Sequence, residues 1–264
     1  MKKLTIMILI LILILPCMTS CGYIKLNYPK DMTNEYCMQN YYYADPNLTF
    51  LSCDLNSADG YYNFEGRAFY FRAIKGVPAE KYLVAQNNMI FDKITYYDIV
   101  KHCSMGFDNP EILTNEIESI EIYKRQAVSN KDSDMRKLGK TRYDEQIALL
   151  TDEQVDALMT KIKTSLDTHD YIEIGAVSND LVRTGLKIEC YCIRVHFSEY
   201  KNLVWDSNIV VQDGKYEMVF YCIDPTYSES DKSKENLSAQ IYHSPWNGIR
   251  IELPEELNDL IPAD

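Results

Sequence analysis

Residues 209–222 read IVVQDGKYEMVFYC. Two runs rich in Val, Tyr and Phe flank Asp213-Gly214, a pair that accepts the positive φ values of a type I′ turn. The stretch therefore predicts a β-hairpin with a two-residue loop. Just upstream, Leu186 to Phe197 places Tyr191, Ile193, Val195 and Phe197 on one side, the period-2 pattern of a half-buried strand. In the first half of the chain, Ala68 to Ile74 and Tyr82 to Ala85 have the same aromatic and β-branched character, broken by Gly76 and Pro78. These segments predict antiparallel sheet.

Helices are fewer. Thr151 with Gln154 forms a capping box, and Val155, Leu158, Met159, Ile162 and Leu166 follow at helical spacing over about four turns. Lys161 and Lys163 fall near the end of that helix, where cations are favoured. Asn109-Pro110-Glu111 predicts a short helix with Asn as its cap, Pro first, and an acid at the positive end. Ile117 to Tyr123 suits either its continuation or a strand. Pro254-Glu255-Glu256 opens a last short helix. The fold class expected is α+β: an antiparallel sheet with hairpins and a few helices.

Length and charge set the frame. The 264 residues allow one large domain or two small ones. With 27 cationic side chains against 39 anionic, the net charge is -12. Binding phosphates needs clustered cations, so a nucleic-acid partner is not expected. The charge is uneven. Residues 22–128 carry 10 cations and 14 anions, residues 129–142 carry 5 and 2, and residues 143–264 carry 10 and 23. The middle stretch, SNKDSDMRKLGKTR, is polar and basic and reads as a linker or exposed loop. The division expected is an N-terminal part over 21–128, the linker 129–142, and an acidic C-terminal part over 143–264. The two parts are compatible with one domain.

The first 22 residues carry the clearest message. Lys2 and Lys3 precede an apolar run from Leu4 to Leu15, interrupted by Thr5 and ended by Pro16. A short apolar stretch behind cations and before small residues is the layout of a secretory signal, and it is too short for a membrane span. Met18-Thr19-Ser20-Cys21-Gly22 follows. It resembles the lipobox of bacterial lipoprotein precursors, with Thr19, Ser20 and Cys21 matching the pattern and Met18 standing where leucine is usual. The resemblance covers residues 1–22. It implies removal of residues 1–20 and lipid modification of Cys21, with at least two acyl chains, enough for stable anchoring. What it implies for location is the outer face of the bacterial cytoplasmic membrane, with the membrane itself as a partner. Loss of Lys2 and Lys3 leaves 25 cations against 39 anions, net -14.

Catalytic signatures are sparse. The chain has no Gly-rich phosphate loop, His-Glu-x-x-His helix or Gly-x-Ser-x-Gly elbow. His102, His169, His196 and His243 lack metal-ligand spacing. Cys190, Cys192 and His196 share one strand face, and Cys222 ends the hairpin arm; buried small hydrophobes explain these thiols better than a metal site. A nucleophilic pairing of Cys103 with His196 or His243 is the weaker reading. Asp54, Asn56, Asp59 and Glu65 faintly echo a calcium loop, yet Ala58 and Asp59 occupy positions that need an oxygen ligand and glycine. A polar turn accounts for them. No catalytic, cofactor or metal residue is assigned; Cys21 is the one site residue.

Tyrosine is the remaining anomaly, with 21 Tyr against 8 Phe and 2 Trp. Tyr41-Tyr42-Tyr43, Tyr61-Tyr62 and Tyr96-Tyr97 are clustered. Such residues suit surfaces for glycans, peptides or proteins, but consecutive tyrosines in a strand face opposite ways, and filling the sheet margin with hydroxyls in water is the simpler expectation. The reading is a membrane-anchored envelope lipoprotein with a binding or structural role rather than an enzymatic one. The alternatives are an extracytoplasmic enzyme and a solute-binding lipoprotein.

Overall fold

The computed structural model describes residues 32–57, 61–64, 66–89, 94–106, 109–125, 143–176, 187–212, 215–223 and 246–262. The signal segment 1–20, Cys21, the linker 129–142, the Asp213-Gly214 turn and His243 lie outside the described residues.

Two antiparallel sheets organise the chain. The first has six strands: β1 (Tyr41–Tyr43), β3 (Cys53–Ser57), β4 (Tyr62–Phe64), β5 (Arg67–Ile74), β6 (Tyr82–Met89) and β7 (Ile94–His102). Their order is β1-β7-β6-β5-β3, with β4 also on β5. The second has eight: β2 (Leu48–Phe50), β8 (Ile117–Arg125), β9 (Tyr143–Leu149), β10 (Ile172–Ala176), β11 (Lys187–Phe197), β12 (Leu203–Gln212), β13 (Lys215–Ile223) and β14 (Trp246–Glu252). Their order is β10-β14-β13-β12-β11-β8-β9, with β2 on β12. The described residues are thus sheet-rich and antiparallel, as a mostly-β or α+β class requires. Gln212 faces Lys215 across the end of the β12–β13 pair, the register of a two-residue connection. Ile117 to Tyr123, ambiguous by spacing, is strand: as β8 it pairs with both β11 and β9.

Alternation fixes which faces meet. Tyr191, Ile193, Val195 and Phe197 all enter one hydrophobic cluster with Leu203, Trp205 and Ile209 of β12 and Met218 and Phe220 of β13. The same cluster takes Ile74, Val84 and Ile99 from the six-stranded sheet, so one core serves both sheets and residues Asp31–Asp264 form a single compact unit.

Four α-helices lie among the described residues: α1 (Asn34–Asn40), α2 (Glu111–Thr114), α3 (Asp152–Thr168) and α4 (Glu255–Asn258). The capping box of α3 is formed, with Gln154 N donating to Thr151 Oγ1 and Thr151 N to Gln154 Oε1. Leu158 and Ile162 are its fully buried anchors, each worth roughly 1.5–3 kcal/mol of burial. Lys161 pairs with Asp170 just beyond the helix end, at 3.8 Å. Helix α2 corrects an expectation. Pro110, not Asn109, occupies the cap, and no side chain caps the helix. Its first residue, Glu111, is wholly buried rather than displayed to solvent, because Lys101 reaches it from β7.

Candidate functional site

The two sheets share a short link. After β1 the chain leaves the first sheet through Ala44–Asn47 and joins the second as β2, where Leu48 to Phe50 pair with Trp205 to Leu203. Strand β12 therefore meets β2 along one part of its edge and β13 along another, and Asn47 splices the two. Asn47 Nδ2 donates to the Asp206 carbonyl and Tyr221 N donates to Asn47 Oδ1, while Asp206 N donates to the Asn47 carbonyl. This satisfies backbone groups that a sheet junction would otherwise leave unpaired.

Asp45, two residues earlier, is buried and accepts three hydrogen bonds. Asn47 N reaches Oδ1 at 2.8 Å, Trp205 Nε1 reaches Oδ2 at 2.8 Å, and Glu111 N reaches Oδ2 at 3.3 Å. Burial, then the neighbouring Glu111 carboxylate, pushes the Asp45 carboxyl up to about 7 despite those donors. Burial also raises Glu111, with Lys101 opposing it. The Lys101 ammonium bonds Glu111 Oε1 at 2.5 Å, with both side chains inaccessible, and Glu111 Oε2 has no partner. Asp45, Glu111 and Lys101 thus form a buried polar seam between the sheets.

A cavity flanks each end of this seam. The first, about 360 Å³, is polar and lined by Lys81, Tyr82, Lys101, Asn115, Glu199 and Tyr200 among others. Its cations are already matched. Lys81 donates to Glu199 at 2.9 Å and to the Tyr200 hydroxyl at 2.7 Å, which raises the lysine and lowers the glutamate.

The second cavity, about 280 Å³, has a different character. Tyr43, Asp45, Leu48, Tyr97, Asp98 and Trp246 line it. It opens where β1 ends and the link departs, against β7, whose Ile99 carbonyl takes the last hydrogen bond from Ala44 N. Asp98 is half-buried there, and burial alone pushes its carboxyl up to about 6. Among the described residues its carboxylate makes no hydrogen bond or ion pair. Burial, then the Asp98 carboxylate, holds the Tyr43 phenol above its ordinary range, with the Arg67 guanidinium opposing them.

The residues singled out from the sequence are not brought together. Cys222 belongs to the core cluster with Met218 and Phe220, whereas Cys192 lies on the reverse face of β11, so no metal site joins them. The side chain of Cys190 lies outside the described residues. Among the described residues, no group of three His, Cys, Asp or Glu could hold a metal ion. His196 Nε2 meets Glu121 at 3.0 Å in the second sheet, while Cys103 is exposed beyond the end of β7 in the first. Asp54 and Asn56 sit in β3 rather than in a loop, with Ala58–Gly60 and Glu65 outside the described residues.

Two of the clustered tyrosines correct a further expectation, their hydroxyls reaching carbonyls instead of water, whereas Tyr61 is exposed. Tyr41 and Tyr42 are buried, and they donate to the Ala79 and Gly106 carbonyls. Asp45 and Asp98 were not anticipated. The available signal was a lone acid inside an aromatic, β-branched strand, Tyr96-Tyr97-Asp98-Ile99, where a charge has no evident reason to be. Compared with family models, with curated proteins and with solved structures, the chain matches none of them.

Proposed function

We propose that the chain is a lipoprotein of the bacterial cell envelope, anchored at the outer face of the cytoplasmic membrane by acyl chains on Cys21, and that its folded part is a binding module. The observation that carries the anchor is the order Lys2-Lys3, Leu4 to Leu15, then Met18-Thr19-Ser20-Cys21-Gly22. Two acyl chains hold a protein at a bilayer stably, where one gives only marginal attachment. Anchoring raises the effective concentration of the module toward anything displayed on the same surface, so a modest affinity suffices. The binding role is supported by the cavity beside Asp98, a preformed concave space with aromatic walls set on strands rather than on loops. Partners of this kind are an envelope protein, a peptide or a glycan, or a small molecule they carry.

Metabolic labelling with a clickable fatty acid, together with membrane fractionation, tests the anchor. The wild-type chain is expected to take up label and sediment with membranes, and Cys21→Ala to lose both. Label that persists in Cys21→Ala places the acylated residue elsewhere. An unlabelled wild-type protein in the medium removes the anchor.

A further inference from the structure

We infer that the cavity bounded by Tyr43, Tyr97, Trp246 and Asp98 takes a small organic ammonium group, alkylammonium or quaternary, as its ligand. The inference rests on the binding reading above and names its ligand class. Asp98 is partly withdrawn from water, and a carboxylate so placed is ordinarily compensated by hydrogen bonds or a counter-ion. Asp45, on the same cavity, has three donors; Asp98 has none among the described residues. No described Lys or Arg is among the residues lining that cavity. A ligand cation would supply the missing charge partner.

The walls favour an organic cation over a bare metal ion. Tyr43, Tyr97 and Trp246 offer aromatic surface, and ring quadrupoles attract ammonium groups held within about 6 Å of the ring centre. Leu48 and Ile99 add apolar surface for methyl or methylene groups. Metal coordination would need several oxygen, nitrogen or sulfur ligands converging, and no such group exists among the described residues. The volume, about 280 Å³, fits a small head group rather than a drug-sized molecule. The long-range field agrees in sign, because the chain carries net charge -12 and would draw cations toward it.

The test uses the full chain in a non-ionic detergent, titrated by calorimetry with choline chloride and n-butylammonium chloride. Two controls accompany them: sodium chloride at matched ionic strength and 3,3-dimethylbutan-1-ol, the uncharged isostere of choline. Tryptophan fluorescence follows the same titrations, since Trp246 lines the cavity. Choline or butylammonium is expected to bind, with the neutral isostere at least about tenfold weaker. Asp98→Asn is expected to weaken the cation at least about tenfold and leave the isostere unchanged. Tyr97→Leu keeps the carboxylate and is expected to weaken choline too, which preserves the test if Asp98→Asn does not fold by circular dichroism.

Equal binding of choline and its isostere overturns the proposal, as does the absence of binding by either ammonium. Undiminished binding in a folded Asp98→Asn overturns it as well. Acylation is read separately: choline binding with an unlabelled wild-type chain would sink the anchor alone, and labelling without choline binding would sink the ligand alone.

Discussion

The indole Nε1 of Trp205 donates a 2.8 Å hydrogen bond to Oδ2 of Asp45, across 160 residues of sequence, and both residues are buried. Trp205 belongs to β12 in the eight-stranded sheet, and Asp45 to the link that leaves the six-stranded one. The bond is therefore a polar tie between the sheets, set beside apolar core side chains that include Phe220 against the Trp205 ring.

Trp205→Phe removes the donor while keeping an aromatic ring. Leaving a buried carboxylate short of a hydrogen bond costs about 1–3 kcal/mol, with a further contribution from the lost volume. The polar part has a signature. The charged form of Asp45 depends on the donor more than its neutral form does, so the loss should be greater at pH 8 than at pH 5. Urea midpoints at both pH values measure this, and an equal loss at both would mean that only packing was removed.

Lys101 and Glu111 are a buried ion pair whose members depend on each other. Lys101→Met strands Glu111, which is wholly inaccessible, and the expected loss is about 3–5 kcal/mol. Adding Glu111→Gln removes the stranded charge, so the double variant should recover most of that loss. A double-mutant cycle on unfolding free energies checks the coupling, and simple additivity would contradict it.

How far this was legible in the sequence depends on the range of the interaction. The pairing of the two arms around 209–222, the capping box at Thr151 and the alternation of Tyr191 to Phe197 are local patterns, and each is present. Two neighbouring facts were not local. Gly248 gives no turn signal, yet a Cβ there would lie 2.8 Å from Ile174 and 3.1 Å from the Tyr221 ring, atoms of the strands on either side. Glu111 reads as an acid at the positive end of a short helix, and only the packing of β7 brings Lys101 to it. Asp45 and Asp98 depend in the same way on a sheet-to-sheet junction that no residue spacing encodes.

Stability should fall as the solution is made more alkaline. Asp45 and Asp98 have folded pKa values of about 7 and about 6, above the 3.8 of an unperturbed aspartate. An acid whose pKa is raised by folding contributes stability that is fully present below its unfolded pKa and lost as pH rises through the folded one. The window is therefore about pH 4 to 7. His102 acts in the opposite sense, because burial lowers its pKa, so its contribution is lost as pH falls below its ordinary range; being only partly buried, it should not reverse the trend. At about 1.4 kcal/mol per pKa unit, the chain should be more stable at pH 5 than at pH 8 by roughly 2–4 kcal/mol. Asp98→Asn isolates one share of this effect. The amide carries no charge to desolvate, so the variant should unfold at a higher temperature than wild type at pH 8 and at a similar temperature at pH 4. Thermal unfolding at the two pH values decides it: a variant less stable than wild type at pH 8 would show that the Asp98 carboxylate already has a stabilising partner within the fold.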